Sequence, residues 1–139
     1  MAEITQLSAL ASEFPEAPVA YDELFNLAYR LDGRGSDGTI DCIGIVIEIF
    51  RRAGLGLPDP RLIGRGVIEF QELFESIIEP DRLYDLAFVG GIHCHVLIVV
   101  RPGVAISSKS KTGVYTQSVA RLRCLSNVEF FRVRSDRLP

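Results

Sequence analysis

Thr39–Phe50 reads TIDCIGIVIEIF, and the conformation of this run decides the fold. Ile43, Ile45, Ile47 and Ile49 alternate strictly and are β-branched, which taken alone predicts a strand. Two features predict a helix instead. The run continues through RRAG and stops at Gly54, a common helix C-terminal signal, and it is apolar nearly all round, as a buried central helix is. Cys42 at its mouth also has two readings. It is a small core residue, or a nucleophile whose thiolate the positive end of a helix would stabilise. Gly44 would let a substrate or a neighbouring backbone come close.

The 139 residues suffice for one domain that buries roughly two-thirds of its unfolded surface. A composition of 47% hydrophobic and 24% charged residues is that of a globular chain, not a disordered or fibrous one. The formal charge of −3 argues against nucleic acid as a partner, because phosphate binding needs a basic surface. Five arginines between Arg121 and Arg137 are read as the wet side of a last helix and strand. Cys42, Cys94 and Cys124 form no CxxC pair, so neither a disulfide framework nor a four-cysteine zinc site is expected, and a reduced compartment fits better. The start, MAEITQLSALASEF, lacks a basic and then apolar leader, and no run reaches the roughly 18 apolar residues of a membrane span. Synthesis in the cytoplasm without a signal peptide is the expectation.

Working outward, residues 3–14 carry Ile4, Leu7, Leu10, Ala11 and Phe14 at helical spacing, stopped by PEAP. YDELFNLAYRL (21–31) predicts a second helix with Tyr21, Leu24, Phe25 and Ala28 on one stripe, and the glycine-rich DGRGSDG then delivers the chain to Cys42. Residues 67–79 place Val67, Phe70, Phe74, Ile77 and Ile78 opposite glutamates, a further predicted amphipathic helix. From there DLAFV, HCHVLIVV, VAIS and VEFFRVR are short β-rich runs parted by GG, RPG and SKSKTG. Helices first and strands after predict an α+β fold with a small, largely antiparallel sheet, and no repeat or low-complexity segment suggests a second domain.

The two histidines, His93 and His95, lie two apart in GIHCHVLIVV. In a strand they share one face and Cys94 points to the other, so a thiol partner must come from Cys42 or Cys124.

Taken together, DGTIDCIGIVIEIFRRAGLGLP, DRLYDLAFV and HCHVLIVVRPGVAISSKSKTGV resemble the NlpC/P60 family of papain-like cysteine peptidases and amidases over roughly residues 21–134. The family shows an Asp-Cys-Ser-Gly-Leu-Val-like signature, a Gly-Asp-Leu strand and a His-Val-Gly-Ile strand in this order. The resemblance implies that the Cys42 run is a central helix packed on the sheet. It implies Cys42 as nucleophile, His95 as general base and, about twelve positions on, Ser107 as the third polar residue. Asp41 would receive the substrate's free amine, and Tyr29, in AYRLDG, matches the family's tyrosine before the nucleophile. His93 either lines the pocket with Asp41 and Tyr29 or sits at a strand end.

Several positions depart from the family. Ile43 replaces the serine after the cysteine, Tyr84 stands where the family has Gly, Leu97 replaces a small residue, and Ser107 orients an imidazole less firmly than His, Asn or Gln would. Hairpin parity also bears on Ser107. It shares the His95 face only if the RPG reversal contains an odd number of residues, whereas a two-residue Pro-Gly turn would present Ser108 and Ser110.

The function implied is hydrolysis of an amide in bacterial peptidoglycan stem peptides, with no cofactor and no metal. A phage tail or an injection machine is the expected delivery partner. The alternative is a catalytically decayed tail or assembly protein of the same fold. A zinc site built from His93, His95, Asp85 and Cys42 is a third reading that no further ligand spacing supports.

Overall fold

The computed structural model describes residues 19–57, 59, 73–80, 82–90 and 95–134. The expected helix at 3–14, residues 67–72 of the one at 67–79, and both His93 and Cys94 lie outside these residues.

The deciding run is a helix, α1 (Cys42–Arg52). Asp41 caps it, its carboxylate accepting from the Gly44 N–H at 2.7 Å. The far end closes with Gly54 at φ +95, where Gly54 N–H donates to Arg51 and Leu55 N–H to Phe50. These are the two bonds of a Schellman motif, and only glycine takes that φ without cost. The alternating isoleucines misled because Ile45 and Ile49 are buried together with Val46 and Phe50, a helical stripe that the period-two pattern only partly samples. Gly44 has a backbone reason: a Cβ there would stand 2.5 Å from the Gly33 carbonyl oxygen, so the glycine loop packs directly on the first turn of α1.

Six strands follow: β1 (Phe74–Ile77), β2 (Leu86–Val89), β3 (His95–Arg101), β4 (Val104–Lys109), β5 (Gly113–Ser118) and β6 (Val128–Val133), with a short helix α2 (Val119–Arg123) between the last two. They form one antiparallel sheet in the order β1-β6-β2-β3-β4-β5. Helix α1 packs on β3 and β4, and the core is built from Ile45, Ile49 and Phe50 against Leu86, Phe88, Ile98 and Ile106, all fully buried. The α+β class with a helix on an antiparallel sheet is therefore observed.

Two predicted helices are corrected. Residues 21–31 hold only a 3-10 turn, Asp22–Asn26, after which Leu27 is extended. Ala28 then takes an N–H bond from Ile40 and donates one to Gly38, so pairing with the segment before Cys42 overrides helical propensity and leaves Phe25 45% exposed. Within 67–79, residues Phe74–Ile77 are strand β1, paired with β6 from Phe74 opposite Val133 to Ile77 opposite Phe130. Ile78 is exposed, not part of an apolar helix face.

Tyr84 has φ +73. A left-handed backbone is rare for so bulky a side chain. Here the tyrosine ring is buried against Phe50, with centroids 5.7 Å apart. Asp85 beside it is 1% exposed and paired to Arg132 at 2.8 Å, tying β2 to β6.

Candidate active site

Cys42 is the first residue of α1 and is partly buried. Burial pushes its thiol up, and the charge of Asp41 adds to this. Backbone N–H groups of Val96, Ile43 and Cys42 itself pull the other way. The amide of Val96 brings β3 to the sulfur at the residue following His95. The loop before α1 brings Tyr29, whose phenol is raised by burial and then by the charges of Cys42, Asp41 and Asp32.

His95 opens β3. Its Nε2 is 2.6 Å from the Tyr115 hydroxyl, and the two rings are nearly parallel, 7° apart in plane with centroids separated by 6.0 Å. Burial holds the imidazole below its ordinary value, and the nearby Lys109 ammonium lowers it further. Lys109 Nζ lies 4.5 Å from the centre of the Tyr115 ring, on its face. Burial raises the Tyr115 phenol to about 12, and the Cys42 charge adds to this, so the hydroxyl stays protonated throughout the neutral range. Thus Cys42, at the tip of α1, lies close enough to Tyr29 and Tyr115 for its charge to raise both phenols, and Tyr115 in turn holds His95.

The parity question has a specific answer. The β3–β4 reversal is a two-residue Pro102-Gly103 turn with Gly103 at φ +78, yet the register shifts between Val99 and Arg101. Ile98 then faces Ile106 and Val99 faces Ala105, so the bulge supplies the odd residue and Ser107 lies on the His95 face. Even so, Ser107 is not the partner of the imidazole. It is fully buried and its hydroxyl donates to the Val96 carbonyl at 2.5 Å. Tyr115, directly opposite Ser107 across β4 and β5, reaches His95 instead because its longer side chain spans the gap. Ser108 faces the other way and donates to the Ile40 carbonyl at 2.9 Å, fastening β4 to the residue before Asp41.

Asp41 is also placed differently from the expectation. It is 4% exposed, and its oxygens accept from Gly44 N–H, from Asp32 N–H at 2.8 Å and from Arg34 Nη1 at 2.8 Å. Arg34 in turn is held by Asp59 at 2.8 and 3.1 Å. A carboxylate so engaged anchors the start of α1, with its oxygens taken up by Gly44, Asp32 and Arg34. Asp85 is bound by Arg132 in the same way, which removes it from the zinc reading.

Tyr115 and Arg34 are the contributors that the sequence reading missed. GVYTQS alternates and is rich in β-formers, a strand signal overshadowed by the preceding SKSKTG. Arg34 sits in a glycine-rich loop, where nothing local distinguishes a buried arginine from a solvated one.

No protein-family profile and no curated protein matches the chain. Among solved structures, a protein similar to lipoprotein of the NLP/P60 family from Staphylococcus aureus subsp. aureus Mu50 aligns with it at 16% identity and a TM-score of 0.47. The alignment covers 92% of this chain and 41% of that one.

Proposed function

We propose that the protein is a cysteine hydrolase in which Cys42 is the nucleophile and His95 the general base, acting on an amide in bacterial cell-wall stem peptides. The observation that carries this reading is the placement of a partly exposed thiol at the capped start of α1, under the Val96 amide, at the strand end where His95 stands. In the reaction the Cys42 sulfhydryl gives its proton to the imidazole and the sulfur attacks the substrate carbonyl carbon. N–H groups of the first turn of α1 stabilise the oxyanion, a contribution worth about 100- to 1,000-fold per donor in other hydrolases. The imidazolium protonates the departing amine, and water then releases the acyl group from sulfur. The sequence resemblance supports the peptidoglycan substrate, and the Val96 amide at the sulfur and the Tyr115 bond to the imidazole support the roles of Cys42 and His95.

Ser107 and Leu97, two departures from the family pattern, are what favours the rival reading, a decayed assembly protein. Tyr115 supplies the hydrogen bond to the imidazole that Ser107 does not, which favours the hydrolase. Incubation with purified peptidoglycan tests the proposal: the wild type should release new free amino groups and Cys42→Ala should not. Absence of release by the wild type, or equal release by the variant, would exclude it.

A further inference from the structure

Resting on the hydrolase reading, we infer that Tyr115 is the residue that positions His95 and stabilises its protonated form, replacing the third polar residue expected at Ser107. Nε2 of His95 is engaged at 2.6 Å by the Tyr115 hydroxyl, leaving Nδ1 as the ring nitrogen able to accept a proton. When the proton leaves Sγ of Cys42 for Nδ1, both ring nitrogens carry hydrogen, and Nε2–H then donates to the phenolic oxygen. That bond becomes charge-assisted at the moment the thiolate forms, so it favours the ion pair over the resting neutral pair.

Three features hold Tyr115 in place for this. Its ring lies nearly parallel to the imidazole, Lys109 covers its face, and its backbone is locked opposite Ser107 in the β4–β5 ladder. Ser107 does not fill this place, because its buried hydroxyl is turned to the Val96 carbonyl while the Tyr115 hydroxyl occupies Nε2. Among the described residues, the groups acting on the imidazole are Lys109 from β4 and Tyr115 from β5, and Tyr115 in turn feels the charge of Cys42 at the tip of α1. A phenol differs from an amide or a carboxylate in this position. It stays neutral beside the thiolate and adds no negative charge that would oppose it.

Tyr115→Phe removes only the hydroxyl that meets His95 and retains the ring under Lys109. The expected result is about a tenfold slower alkylation of Cys42 by iodoacetamide near neutral pH, from loss of one hydrogen bond to a charged group. The acid limb of the rate–pH profile should move to lower pH, because the imidazolium has lost its acceptor. Cys124, which is exposed, is the internal reference and should be unchanged. Ser107→Ala should leave both the Cys42 rate and the acid limb where they are. Nitrogen-15 spectra of the unmutated chain give a second measure that survives if the variant folds poorly: the Nε2 signal of His95 should show a hydrogen-bonded nitrogen shielded from exchange. An unchanged Cys42 rate and His95 titration in Tyr115→Phe, a loss of rate in Ser107→Ala, or a freely exchanging Nε2 would each overturn the inference. None of these readouts uses a substrate, so a failure to cut peptidoglycan would reject the proposed function and leave this result standing.

Discussion

Replacing Asp41 should unfold the site before it affects substrate recognition. Asp41→Ala removes the acceptor for Gly44 N–H, the acceptor for Asp32 N–H and one of the two carboxylates on Arg34. Loss of a helix N-cap costs about 1 kcal/mol. Loss of a hydrogen bond to a charged group costs about 1.5–3 kcal/mol, and the discount for surface pairs does not apply because the two side chains are only 16% and 5% exposed. Arg34 keeps Asp59, so the larger penalty of a stranded buried charge is avoided. The total is about 2.5–4 kcal/mol, a fall in Tm of roughly 10 °C for a domain of this size. Asp41→Asn keeps an oxygen for Gly44 but loses the charge, and should cost about half as much. Because the chain has no Trp, urea and thermal unfolding are best followed by circular dichroism. If both variants melt with the wild type while KM alone rises, the carboxylate is a substrate contact and the reasoning fails.

Two further outcomes follow from the same geometry. Gly44→Ala should destabilise the protein by about 1–2 kcal/mol in urea titrations, since a Cβ 2.5 Å from the Gly33 oxygen outweighs the gain in helix propensity of about 1 kcal/mol; a more stable variant would mean that the loop yields easily. Lys109→Met should move the acid limb of the Cys42 alkylation profile upward: burial and the ammonium both lower His95, so the imidazole is available as a base from below pH 6.5, and without Lys109 the limb should rise towards that value but stay below it, burial being the larger cause. A limb that does not move, or that moves down, would show that Lys109 does not act on His95.

The sequence displayed its fold most clearly where local chemistry and tertiary demand agree. Asp41, Gly44 and Gly54 mark the start, the packing and the end of α1, each for a backbone reason visible in the structure. Strands β2, β3, β4 and β6 were legible from short β-branched runs between turn residues. The failures at 21–31 and 74–77 have one cause. In both, apolar residues happened to fall at helical spacing, but distant segments offered unpaired backbone, and ladder or bridge bonds prevailed. At the candidate site, Cys42 and His95 could be proposed from sequence because the family resemblance falls on residue types able to carry the chemistry. Tyr115 could not, because its role depends on a bulge at β3 and on a cross-strand register that no spacing rule encodes.

The central claim is that Cys42 passes its proton to His95. The most direct measurement is the rate of Cys42 alkylation near neutral pH in the wild type and in His95→Gln, with Cys124 in the same molecule as reference. Loss of a positioned general base typically costs about 100-fold or more, so the variant should lose Cys42 reactivity selectively. Equal Cys42 rates in the two proteins, with unchanged melting temperatures, would contradict the pairing of this thiol with this imidazole.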